Sequence, residues 1–134
     1  FCPTSTAWGP DNRTVGLRII EGSDTAVRVE KRDAGADANP YLLMATDIAA
    51  GLDGIEQGME PTEPTMGNAY EEFHGEPIPN DLGDAITLAR GSDWLKGVMG
   101  ELMWEQYCQM AERELEFFGQ QVTQVETDRY MRSL

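Results

Sequence analysis

The run Thr14-Val-Gly-Leu-Arg-Ile-Ile-Glu-Gly-Ser-Asp-Thr-Ala-Val-Arg-Val-Glu-Lys-Arg32 decides how the chain folds. Val15, Leu17 and Ile19 alternate with Thr14, Gly16 and Arg18. After a turn expected at Glu21-Gly22-Ser23-Asp24, Val27 and Val29 alternate with Arg28, Glu30 and Arg32. Alternation with period two belongs to a β-hairpin with one face on a core and the other on solvent or a ligand. Pairing symmetric about that turn sets Arg18 opposite Arg28, Gly16 opposite Glu30 and Thr14 opposite Arg32. Opposed arginines repel unless something neutralises them. A multiply charged anion does so, and a carboxylate between Arg28 and Arg32, facing a glycine that leaves room, suits a divalent cation. The pattern points to phosphate, metal and carboxylate chemistry.

Alternating Arg and Glu also describes a solvated face whose ion pairs contribute little. The charge distribution favours a site. Of ten basic residues in the chain, five lie between Arg13 and Arg32 (Arg13, Arg18, Arg28, Lys31, Arg32) beside only three acids, so this is a cationic island in an acidic protein. The net charge of -14 over 134 residues argues against generic binding to nucleic acid or an anionic membrane, both of which need broad positive surface. No apolar run approaches the roughly 20 residues that span a bilayer, and no signal-peptide pattern opens the chain. The length suits one domain. Cys2 and Cys108 stand far apart in different contexts, which fits reduced thiols and a cytoplasmic setting. Phe1, without an initiator methionine, reads as the start of a piece cut from something longer.

Residues 1–13, with Pro3, Pro10 and a Trp8-Gly-Pro-Asp11 turn, are expected to form a loop in which Trp8 either walls a ligand or packs under the chain. Asn39 and Pro40 open a helix expected to run to about Gln57, with Gly58 ending it. Its stripe Tyr41, Met44, Ala45, Ile48, Leu52 and Ile55 is expected to be core, and Gly51 and Gly54 suggest a backbone passing close. Residues 59–79 carry four prolines and no period, a connection long enough to be functional, mobile or laid over a partner, and the solitary His74 there is expected to be solvated. Asn80 or Asp81 caps a short helix through Ala89, and Ser92 caps another turn before Gly100. A last helix from Glu101 carries Trp104, Cys108, Ala111, Leu115, Phe118, Val122 and Val125 as one amphipathic stripe. The fold class is therefore α+β, an antiparallel β-hairpin followed by a helical C-terminal part.

The segments Trp8-Gly-Pro-Asp-Asn-Arg-Thr14, Leu17-Arg-Ile19, Arg28-Val-Glu-Lys-Arg32, Gly35-Ala-Asp-Ala-Asn-Pro-Tyr-Leu42 and Ala49-Ala-Gly-Leu-Asp-Gly-Ile55 together resemble the C-terminal part of the glutamine synthetase catalytic domain. The likeness is to type I enzymes and to the branch coupling glutamate to amines such as putrescine or other polyamines, and it spans nearly all of residues 1–134 in order. It implies an ATP-dependent ligase joining the γ-carboxylate of glutamate to ammonia or an amine through γ-glutamyl phosphate, with Mg2+ or Mn2+. By that resemblance Arg13 contacts the transferred phosphoryl group and glutamate, Arg18 and Arg28 the nucleotide phosphates, and Arg32 the γ-carboxylate and its phosphate, while Glu30 is a metal ligand. Guanidinium forks suit phosphate and carboxylate, and a hard cation takes carboxylate oxygens.

The family's N-terminal β-grasp domain and the first part of its catalytic domain would precede Phe1, so the isolated chain is expected to be inactive while its parent forms a ring-shaped homo-oligomer. Thr25 stands where many members carry a basic residue. Tyr70 sits roughly where some type I enzymes carry an adenylylated tyrosine, in a different surrounding sequence. Two other readings stay open: a non-catalytic glutamine-synthetase-like structural protein, and an acidic helical part that acts as a docking module.

Overall fold

Three short strands and five helices make up the computed structural model, which describes residues 2–132. The chain divides into two units between Asn80 and Asp81. In the first, β1 (Trp8–Pro10), β2 (Leu17–Ile20) and β3 (Arg28–Lys31) form one sheet in that order, followed by α1 (Pro40–Gln57).

β2 and β3 are antiparallel, as the alternation requires, but their register differs from the symmetric one. Arg18 lies opposite Glu30, Ile19 opposite Val29 and Ile20 opposite Arg28. The connection is a longer loop in which Ser23 O accepts from the amides of Ala26 and Val27. The physical reason is charge: this register sets a guanidinium against a carboxylate and relieves the arginine–arginine opposition. Gly16 consequently faces Arg32, whose amide donates to Gly16 O at 2.9 Å.

Residues 8–10, expected to be loop, are strand. β1 runs parallel to β2 with Trp8 beside Leu17 and Pro10 beside Ile19. A parallel pair normally needs a long crossover. Here three residues of strand are short enough for the chain to double back through residues 11–16, with Asp11 in the left-handed region at φ 43° and Asn12 Oδ1 accepting from Thr14 N and Oγ1. Val15 turns into the small core with Ala7 and Ala69. The irregular stretch 59–79 is laid over this region of its own unit: Thr65 N donates to Trp8 O, Ala69 N to Thr14 Oγ1, Tyr70 Oη to Cys2 O and Ile78 N to Thr4 O. Close approach occurs at Gly9 and Gly16, where a Cβ would stand 2.4 Å from Thr65 O and 2.6 Å from Ser5 O. At Gly51 and Gly54, where the sequence suggested it, nothing lies within 4 Å.

α1 has the expected ends. Asn39 Oδ1 caps the amides of Tyr41 and Leu42, Pro40 occupies the first turn, and Gly58 closes it at φ 60°. Its apolar stripe is not core: Tyr41, Met44, Ile48, Leu52 and Ile55 are each at least 55% exposed. Helical spacing fixes which face is apolar, and whether that face is buried depends on what meets it.

The second unit contains α2 (Leu82–Gly91), α3 (Asp93–Met99), α4 (Glu101–Gly119) and α5 (Gln124–Met131). Asp81 and Ser92 cap α2 and α3. The expected single last helix is two, because Thr123 and Glu126 form a capping box that starts α5 anew. α2 and α3 pack on α4 around Ile86 and Cys108. Arg90 fastens α2 to α4, donating to Glu105 at 2.6 Å and to both carboxylate oxygens of Glu112, with its guanidinium 5.1 Å from the Trp104 ring centroid. Cys2 and Cys108 are unpaired. Among the described residues no helix is long and apolar enough to cross a membrane.

Candidate active site

The even-numbered side chains of β2 and β3 share one face, and the polar residues singled out in the sequence converge there. Arg18, with its side chain only 16% exposed, donates Nη1–H to Glu30 Oε2 at 3.0 Å. Arg28 donates Nη2–H to Glu30 Oε1, also at 3.0 Å, and Nη1–H to Ala26 O. Glu30 thus bridges two arginines, one from each strand. Arg32, opposite Gly16, donates Nη1–H to Arg13 O and Val15 O. The Arg13 side chain is exposed and lines an open cleft with Asp11, Arg18 and Gly67. All five predicted residues therefore lie on β2, on β3 with Arg32 just beyond it, or on the loop entering β2.

The structure adds two residues. Asp11 accepts from both Nε and Nη2 of Arg18. Asn12 Nδ2 donates to Thr65 O at 3.0 Å and Gly67 O at 2.8 Å, tying the overlying stretch to the loop that carries Arg13. The Asx turn was foreseeable from an Asn in this setting, whereas the ion pair of Asp11 depends on the doubling back of the chain. Trp8 has a structural role: its indole N–H donates to Thr62 O at 2.7 Å. Tyr70 holds its hydroxyl on Cys2 O, and His74 is exposed as expected.

The electrostatics follow from these contacts. The hydrogen bond from Arg18, then its charge, hold the Asp11 carboxyl below its usual range. Desolvation pushes Glu30 upward, but hydrogen bonds from Arg18 and Arg28 outweigh it and leave the carboxyl lowered. Both acids are therefore ionised at neutral pH. Four guanidinium groups against two carboxylates leave a net positive face, suited to phosphate oxygens. For a divalent cation the residues do not suffice. The face offers only Glu30 and Asp11, both engaged by arginine, and no group of three metal-binding side chains exists among the described residues. Six or more oxygen ligands are the usual need of such ions.

Residues 1–130 match the family described as glutamine synthetase, catalytic domain. The chain belongs to that family. It is 43% identical over 129 residues to gamma-glutamylethanolamide synthetase GlnA4 of Streptomyces coelicolor, covering 96% of this chain and 28% of that protein. It is 38% identical over 128 residues to gamma-glutamylputrescine synthetase PuuA of Escherichia coli, covering 96% and 27%. The solved structure of ligand-free GmaS superposes with a TM-score of 0.81 at 31% identity, over 92% of this chain and 29% of that one. This glutamine synthetase family chain thus spans somewhat over a quarter of the length of these relatives, and its α+β fold is that of the matching part.

Proposed function

We propose that this chain is the C-terminal portion of the catalytic domain of an ATP-dependent ligase that joins the γ-carboxylate of glutamate to ammonia or a small amine. The observation that carries the reading is the Arg18–Glu30–Arg28 bridge across β2 and β3, with Arg13 and Arg32 beside it. In the reaction a γ-carboxylate oxygen attacks the terminal phosphorus of ATP and ADP leaves. The amine nitrogen then attacks the acyl carbon, phosphate leaves, and the nitrogen gives up a proton. Both steps move negative charge among phosphate and carboxylate oxygens, so prearranged cations supply the stabilisation.

In this scheme Arg13, Arg18 and Arg28 hold the nucleotide phosphates, and Arg32 with Arg13 holds the γ-carboxylate and then its phosphate. The ion pairs of Arg18 and Arg28, and the bonds of Arg32 to the Arg13 and Val15 carbonyls, hold three of these guanidinium groups before a substrate arrives, so less ordering remains at the moment of reaction. Glu30 would be the one carboxylate these residues could give to Mg2+ or Mn2+, and a complete site would need further ligands from outside them. A primary amine is favoured as acceptor because GlnA4, PuuA and a glutamate–isopropylamine ligase of Pseudomonas are named for amine products or substrates. The full-length protein is read as a homo-oligomer.

Glu30→Gln in the full-length ligase tests the reading. It keeps the shape and leaves the arginines without their shared charge. ADP formation from ATP, glutamate and an amine panel falls on the order of 10²-fold, with oligomer mass unchanged by light scattering. Unaltered ADP formation, or none in the wild type with any amine or ammonia, favours a non-catalytic structural protein. The retention of Arg13, Arg18, Arg28, Glu30 and Arg32 together stands against that alternative.

A further inference from the structure

We propose that Asp11 is a stand-in anion: its carboxylate occupies the side of Arg18 that an incoming polyphosphate takes, and it thereby sets how tightly this face binds the nucleotide. The inference rests on reading the arginine face as a phosphate site.

Arg18 is fixed on the middle strand, and its donors divide between two acids. Nη1 serves Glu30 within the sheet, while Nε and Nη2 both serve the one Asp11 oxygen. The Nε–Nη2 edge is a pair of parallel donors, the arrangement by which arginine grips phosphate. The acid at that edge is not built in as Glu30 is. Its side chain is 78% exposed against 32% for Glu30, and it stands at the turn after β1 in a left-handed backbone conformation. Because the Asp11 end of this pair stands in solvent, a ligand can displace the carboxylate without disturbing the sheet. Asp11 also lines the same open cleft as Arg13 and Arg18, so its charge acts on any anion entering there.

A purely orienting role predicts the opposite sign. If Asp11 served only to hold Arg18 ready, removing its charge would loosen the arginine and weaken anion binding. If it competes, removing the charge strengthens binding. Asn and Gly both tolerate the left-handed backbone at this position. Asp11→Asn keeps a polar side chain of the same shape, and Asp11→Gly removes the side chain entirely.

The test is calorimetric binding of Mg2+-tripolyphosphate to the full-length ligase, wild type and both variants, so that no turnover is required. Both variants are expected to lower the Kd about twofold to fivefold, the range in which exposed ion pairs act. Arg18→Gln combined with Asp11→Asn is expected to lose that gain. Wild-type binding with an unchanged or higher Kd in both Asp11 variants overturns the stand-in role and leaves the ligase reading intact. No tripolyphosphate binding in any form, together with undiminished ADP formation in Glu30→Gln, overturns the phosphate site itself and this inference with it.

Discussion

Asn12 is the residue through which the fold of the first unit reaches the arginine face, and Asn12→Asp isolates that connection. The substitution keeps the size of the side chain and an acceptor for Thr14 N and Oγ1, at 2.9 and 2.7 Å in the native chain. It converts the amide that donates to Thr65 O and Gly67 O into a second oxygen facing two carbonyls. Each lost hydrogen bond is worth about 0.5–1.5 kcal/mol, so the pair amounts to about 1–3 kcal/mol before any repulsion. Residues 62–70 are the segment released, since the same stretch is otherwise held by Thr65 N on Trp8 O and the Trp8 indole on Thr62 O. Hydrogen exchange read by mass spectrometry on peptides covering 62–70 is expected to quicken about 5- to 150-fold, the equivalent of that free energy. Peptides from the second unit, residues 81–132, serve as the internal reference. Exchange in 62–70 within twofold of wild type would show that Trp8 and Thr65 carry the segment without Asn12, and the proposed link from that segment to Arg13 would be lost.

Two further outcomes follow from packing and charge. Gly16→Ala places a Cβ 2.6 Å from the Ser5 carbonyl, a backbone atom that cannot rotate away, so the unfolding midpoint in urea falls by an amount corresponding to about 1–3 kcal/mol with the slope unchanged. In the second unit, hydrogen bonds from Arg90 hold Glu105 and Glu112 below their ordinary value of 4.5. Groups depressed in the folded state contribute stability that is fully present above the unfolded value and is lost as pH falls through the folded one. Thermal melts from about pH 6 to about pH 3 should therefore show this contribution disappearing below 4.5, and Arg90→Gln should flatten the curve; a wild-type profile no steeper than the variant's would contradict the clamp.

The helix boundaries were legible because caps are local chemistry. Asn39 before Pro40, Gly58 after Gln57, Asp81 and Ser92 each satisfy backbone groups within a few residues, and each does so in the structure. The same logic marks the break after Gly119, where Thr123 and Glu126 already spell a capping box. The seven-position apolar stripe masked it, since Val122 and Val125 continue the spacing while standing fully in solvent at 80% and 75%. β1 was illegible for the converse reason. Three residues of Trp-Gly-Pro have no period, and their strand character comes from partners elsewhere in the unit: Thr65 N donates to Trp8 O, Ile19 O accepts from Asp11 N, and the amides of Gly16 and Leu17 donate to Ala7 O. The α1 stripe was read correctly as apolar and wrongly as buried, because burial is a property of two surfaces and only one of them is in the helix.

The register of β2 against β3 shows why a wrong pairing still located the right face. Symmetry about a four-residue turn put Arg18 against Arg28, and the observed pairing puts it against Glu30, two residues further along β3. A slip of one residue would have sent every side chain to the opposite surface; a slip of two leaves each on its own side. Arg18, Arg28, Glu30 and Arg32 therefore stay together under either pairing, and the inference of an anion site survives the loss of the repulsion that first suggested it. What changes is the source of neutralisation. In the assumed register an external anion had to offset two facing arginines, whereas in the observed one Glu30 does so from within the sheet and Asp11 does so from the loop. The face is stable without ligand for that reason, and an entering polyphosphate must compete with carboxylates already in place.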